Sequence, residues 1–133
     1  MEPTTAKHHI LVLEDDFSIA ELLAWVLSDE GYRVTCCDSL RDARRVCAQS
    51  TPDVIIADLL LPDGLGSDLV YEVRQEHNGN SPSSIVMSAV PQAQRHADAA
   101  GAQRCLTKPF DLSELLDVVS NFTGTGNRGL QPQ

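Results

Sequence analysis

A chain of 133 residues has room for one domain with a single two- or three-layer core, and none for a receptor joined to an enzyme. Ten Lys and Arg stand against nineteen Asp and Glu, a net charge of −9, so the chain repels a phosphate backbone or an anionic bilayer, and neither direct nucleic-acid binding nor membrane association is expected. With 42% apolar and 22% charged residues it has the balance of a folded globular domain and not of a disordered chain.

In chain order, Met1 to His9 ends in two histidines ahead of the apolar run Ile10 to Leu13, which meets acids at once. That pattern fits neither a signal peptide nor a membrane span, and the expected compartment is the cytoplasm. His8 and His9 are expected as exposed polar residues before the first strand, Ile10 to Leu13. Asp16 reads as the N-cap of a helix whose apolar residues Ile19, Leu22, Leu23, Val26 and Leu27 recur at helical spacing, with Gly31 placed to end it. The second strand is Tyr32 to Cys37, where Cys36 and Cys37 point to opposite faces so that at least one packs inside. Arg41, Arg44 and Arg45 share one face of the second helix, read as solvated.

The third strand is Val54 to Ala57. The segment Gly64 to Leu69 lacks the third glycine of a dinucleotide-binding turn and is rejected as one. Glu76 to Ser84 is a loop by composition, Ile85 to Met87 a fourth strand, and Gln92 to Ala100 a short, weakly amphipathic helix expected to be among the more mobile elements. After a fifth strand, Cys105 to Thr107, Asp111 and Glu114 form a capping-box-like start to a helix with the stripe Leu112, Leu115, Leu116, Val119 and Phe122. Beyond Asn121 the composition is that of a linker, which puts a domain at 1–122 and a tail at 123–133. The four cysteines, Cys36, Cys37, Cys47 and Cys105, lack the paired spacing of a disulfide or zinc scaffold.

Five apolar strands alternating with helices predict an α/β fold, an open doubly wound parallel sheet covered on both faces. Ligands of such sheets bind outside the carboxyl ends of the strands. Those ends carry Glu14, Asp15 and Asp16 after the first strand, Asp58 after the third, Ser88 after the fourth, and Lys108-Pro109 after the fifth. Gathered acids repel one another unless a cation neutralises them, and oxygen donors without His or Cys suit Mg²⁺. A carboxylate held beside Mg²⁺ and a lysine can attack phosphorus, because phosphoryl transfer needs mainly positioning and charge neutralisation. Asp58, at the end of a rigid apolar strand, is the natural nucleophile, Lys108 its partner, and Ser88 a hydroxyl donor to a phosphoryl oxygen. An aspartyl phosphatase would need a second acid two residues on, where this chain has Leu60.

Four motifs in this order resemble the receiver domain of two-component response regulators over roughly residues 7 to 122. They are Glu14-Asp15-Asp16, the block from Asp58 through Pro62 to Gly66, Met87-Ser88-Ala89, and Lys108-Pro109-Phe110. The resemblance implies a (βα)5 three-layer sandwich with strand order 2-1-3-4-5 and no ordinary enzymatic turnover. It implies that Asp58 is the phosphoacceptor, that Glu14, Asp15, Asp58 and the Leu60 carbonyl organise Mg²⁺, and that Lys108, Ser88 and Ala89 form the phosphoryl-binding and switch positions. It implies a cis Lys108-Pro109 bond, a sensor histidine kinase or phosphotransfer protein as donor, and an output domain or downstream protein as reader. A receiver-like interaction module that is never phosphorylated is the alternative.

Three departures carry expectations. Cys105 stands where the family usually has an aromatic switch residue, so Cys105 is expected to move little on activation. Leu60 and Val90 are apolar where relatives often have polar groups that orient water, so a phosphorylated Asp58 is expected to hydrolyse slowly. Gln103 and Arg104 replace an acidic pair used in the dimers of one receiver class, which argues against that dimer.

Overall fold

The computed structural model describes residues 7–124. Its main sheet is formed by β1 (His9–Leu13), β2 (Arg33–Cys37), β3 (Val54–Asp58), β6 (Ser83–Ser88) and β7 (Arg104–Thr107), all parallel, in the order β2-β1-β3-β6-β7. A separate hairpin of two short strands, β4 (Leu60–Leu61) and β5 (Gly64–Leu65), lies between β3 and the next helix. Leaving the hairpin out of the count, this is the expected order 2-1-3-4-5. The helices are α1 (Phe17–Asp29), α2 (Leu40–Gln49), α3 (Gly66–His77), α4 (Ala93–Ala100) and α5 (Leu112–Thr123). No helix among the described residues is long and apolar enough to cross a membrane.

The period of two along β1 divides the core. Leu11 and Leu13 face one side with Ile55, Ala57, Val86 and the buried residues of α2, α3 and α4. Ile10 and Val12 face the other with Ile56, Ile85, Met87 and the buried residues of α1 and α5. Residues 10–13, 54–57 and 85–87, buried on both faces of the sheet, are wholly apolar, and the polar residues that follow them collect at the carboxyl rim.

Local signals behave as their chemistry requires. Asp16 caps α1, its carboxylate accepting from the Ser18 and Ile19 amides at 2.9 and 3.2 Å, and Gly31 follows the helix at φ +99°. Asp111 caps α5 by accepting from the Ser113 amide at 3.0 Å. Glu114 does not complete the capping box: it lies 3.6 Å from Arg104 of β7. α5 also continues past Asn121, because Phe122 packs on the core and the Thr123 hydroxyl meets the Tyr32 hydroxyl at 3.1 Å. Of the segment read as a tail, residues 125–133 lie outside the described residues.

One surface expectation is corrected. His9 is the first residue of β1 and only 3% exposed, because Asp53 accepts its amide at 2.7 Å and Thr35 Oγ1 lies 2.8 Å from its Nε2. Burial, with the Arg33 charge, pushes its imidazole below the usual histidine range. The arginine face of α2 is exposed as expected, and Arg44 on it also bonds Glu72 of α3 through Nε and a terminal nitrogen, both at 2.9 Å, which ties α2 to α3. Cys37 is buried and Cys36 exposed, as alternation on a strand demands.

Candidate functional site

Register places the site. Asp58 is the last residue of β3 and pairs with Met87, so Ser88 stands one rung further out on β6, level with Thr107 on β7. Glu14 follows β1 directly and its amide donates to the Cys37 carbonyl at 3.0 Å, which continues the β1–β2 ladder by one bond. Lys108 follows β7 and its amide donates to the Ser88 carbonyl at 2.9 Å. The Lys108-Pro109 bond is cis.

The side chains converge. Lys108 Nζ lies 2.7 Å from Glu14 Oε1 and 3.0 Å from Asp58 Oδ2. The Glu14 side chain is 1% exposed, and its second oxygen accepts the Asp16 amide at 3.0 Å. Burial raises the Glu14 carboxyl above its ordinary range, more than the hydrogen bonds from Lys108 and the Asp16 amide lower it. For Lys108 burial works toward the neutral amine, but the bonds to Glu14 and Asp58 together outweigh it and hold the ammonium above its usual value. Both carboxylates therefore stabilise the part-buried Lys108 ammonium they share.

One oxygen each from Glu14, Asp15 and Asp58 lie within 4.8 Å of one another, with Asp15 exposed at the rim. Carboxylate oxygens at such spacing suit a hard divalent ion, and a solvent-facing Asp15 leaves room for the waters that Mg²⁺ retains. The residues present therefore fit Mg²⁺. Leu60, two residues past Asp58, has a half-exposed side chain and an amide 3.4 Å from Asp58 Oδ1.

The remaining expected positions sit around this centre. Ser88 is buried and its Oγ accepts the Val90 amide at 2.9 Å, which leaves the hydroxyl proton free to donate. Ala89 is exposed and, with Lys108, Pro109, Phe110 and Leu22, lines a mainly apolar groove between α1 and the start of α5. Cys105 is part-buried on β7 and packs against the edge of the core that Leu11, Leu13, Ile55, Ala57 and Val86 share with α2, α3 and α4. Asp16 serves as a helix cap and is not among the gathered metal-ligand oxygens.

Sequence reading missed two residues that shape the site. A Cβ on Gly66 would run into the Asp58 carbonyl oxygen and lie 3.1 Å from Ala57 Cβ, so α3 can start against β3 only with glycine there. The signal was the glycine itself, already rejected as a nucleotide turn and given no other role. The second residue is Asp63, whose carboxylate binds the start of α2.

A family model described as the response regulator receiver domain matches residues 10–120. The transcriptional regulatory protein KdpE of Staphylococcus aureus is 39% identical over 108 residues, which is 80% of this chain but 46% of that protein, so the chain spans less than half of that relative. A response regulator from Chloroflexus aurantiacus is 31% identical with a TM-score of 0.82, over 90% of this chain and 99% of the other. The receiver domain of the sensor histidine kinase PA1611 from Pseudomonas aeruginosa, solved with magnesium coordinated in its active-site cleft, is 28% identical with a TM-score of 0.80, over 90% of this chain and 99% of that one.

Proposed function

The chain belongs to the response regulator receiver domain family, and from that membership we propose that it accepts a phosphoryl group from a phosphohistidine onto Asp58 and thereby changes its binding to an output domain or downstream protein. The observation that carries this reading is the convergence of Asp58, Glu14, Asp15 and Lys108 at one strand rim. Mg²⁺ would be held by Glu14, Asp15, Asp58 and the Leu60 carbonyl, and when bound it neutralises charge on the phosphoryl oxygens.

This chain's own residues do the rest. An Asp58 carboxylate oxygen forms the new bond to phosphorus while the bond to the donor imidazole nitrogen breaks, and that nitrogen leaves with the electron pair. The ammonium of Lys108 has three N–H donors; Glu14 and Asp58 take two, and the third is available to a phosphoryl oxygen. The Ser88 hydroxyl supplies a further donor from β6. Nothing in this scheme turns over a second substrate, so the modification is of the chain itself. The donor, a sensor histidine kinase or phosphotransfer protein, must reach this rim, and the apolar groove beside Lys108, lined on α1 by Ile19, Leu22 and Leu23 with Leu22 42% exposed, offers it a surface.

Beryllofluoride with Mg²⁺ tests the reading, since it mimics a phosphoryl group on a carboxylate. Amide NMR should show Asp58 and Ser88 shifting in the wild-type chain and no response in Asp58→Asn; equal shifts in both would contradict it. In the same spectra Cys105 should shift much less than Ser88, because a small, part-buried thiol packed against the core has no ring to swing. A Cys105 shift as large as that of Ser88 would refute this point.

Leu60 presents a half-exposed apolar side chain two residues from Asp58, with no polar group of its own to orient water against an acyl phosphate. Leu60→Asn should shorten the lifetime of phosphorylated Asp58 several-fold. A wild-type half-life of seconds that Leu60→Asn leaves unchanged would contradict it.

A further inference from the structure

We propose that Asp63 is a positioning residue for the Mg²⁺ site, holding the loop that follows the phosphoacceptor against the start of α2. The inference rests on the metal reading above. Between β3 and α3 the chain turns through the hairpin β4–β5, whose strands have two residues each and cannot hold a conformation unaided. Its base is fixed, because the Leu59 amide donates to the Met87 carbonyl at 2.9 Å and the Gly66 amide to the Leu59 carbonyl at 2.8 Å.

Its tip is fixed by Asp63. Oδ1 accepts the Leu40 amide at 2.9 Å and Oδ2 the Arg41 amide at 3.1 Å. These are two of the first-turn amides that have no partner within a helix, and the carboxylate lies at the positive end of the α2 dipole. The bonds from these amides hold the Asp63 carboxyl below its ordinary range. Gly64, next in the chain, packs so closely that a Cβ there would lie 2.7 Å from Leu40 Cδ1, and its φ of +148° also favours glycine. Leu40 is 1% exposed, so the docking point belongs to the core. Leu60, whose carbonyl is assigned to the metal, lies between the fixed base and the fixed tip.

α2 has a second cap that serves the helix alone: Ser39 Oγ accepts the Asp42 amide at 3.2 Å. The two caps therefore separate helix stability from loop placement. Mg²⁺ titrated into the wild-type chain, Asp63→Ala, Asp63→Asn and Ser39→Ala, followed by the amide signals of Asp58 and Leu60, tests the inference. Asp63→Ala should weaken Mg²⁺ binding about tenfold, the low end for removing a group that orients metal ligands. Asp63→Asn should recover part of the loss, since its amide oxygen still accepts one bond, and Ser39→Ala should leave the affinity unchanged. Wild-type affinity in Asp63→Ala, or an equal loss in Ser39→Ala, overturns the inference while leaving the metal site intact. A wild-type chain that binds no Mg²⁺ overturns the metal reading and the inference with it.

Discussion

Gly66→Ala should lower the melting temperature by roughly 10 °C, corresponding to about 3 kcal/mol, and should slow phosphorylation of whatever folds. The added methyl meets the Asp58 backbone carbonyl, which is anchored in the sheet and cannot swing aside as a side-chain end would. Two relaxations exist and both are costly. Moving β3 disturbs a central strand paired on both sides, while moving the start of α3 breaks the 2.8 Å bond from the Gly66 amide to the Leu59 carbonyl. Either one displaces the carboxylate that must meet phosphorus, where misplacement by an ångström is enough to slow a reaction that depends on positioning. Calorimetry checks the first part and acetyl phosphate kinetics the second. A melting temperature within about 2 °C of wild type would show that the close approach is not real.

Lys108→Ala should cut the rate of phosphorylation by about 10²-fold without weakening Mg²⁺ binding. In the proposed transfer the ammonium is the fixed donor to the developing phosphoryl charge, so its loss falls on the rate. It also competes with a metal ion for oxygens of Glu14 and Asp58, so its removal frees ligands. Without metal the variant carries a cost, since the buried Glu14 loses its cation. The Glu14 carboxyl, already raised by burial, should rise further. A carboxyl whose folded pKa is raised favours the folded state most when protonated, and that contribution is lost as pH rises through the folded value. The stability gap between wild type and Lys108→Ala should therefore be widest at pH above the raised Glu14 value and shrink as pH falls through it toward the ordinary carboxylate range. A fall in Mg²⁺ affinity as large as the fall in rate would contradict the division of roles, as would a gap that widens in acid.

The parts legible in the sequence were those that local chemistry decides. Ile10 to Leu13 and Val54 to Ala57 could only be strands buried on both faces, and the polar residues after them had to stand at the rim. Asp16 and Asp111 could be read as caps because capping is a matter of a few neighbouring atoms. Partner choice across the chain was legible only for Lys108 with Asp58, which strand-end placement brings together; the other partners were not. The 2.7 Å pair of Lys108 with Glu14 joins residues 94 positions apart, and the bonds from Asp63 to Leu40 and Arg41 span 23 and 22 positions. Periodicity says which face a residue occupies and nothing about which donor it meets there. His9 failed for the same reason: Asp53 and Thr35, distant in sequence, draw it into the sheet. Glu114 shows the reverse error, a local motif overruled by Arg104 on a neighbouring strand.

The central claim is that Asp58 becomes phosphorylated, and intact-mass analysis after incubation with acetyl phosphate and Mg²⁺ tests it most directly. The wild-type chain should gain one phosphoryl mass, and Asp58→Asn, which keeps the shape of the side chain but removes the nucleophilic carboxylate, should gain none. An unmodified wild-type chain, or the same added mass on Asp58→Asn, would contradict it.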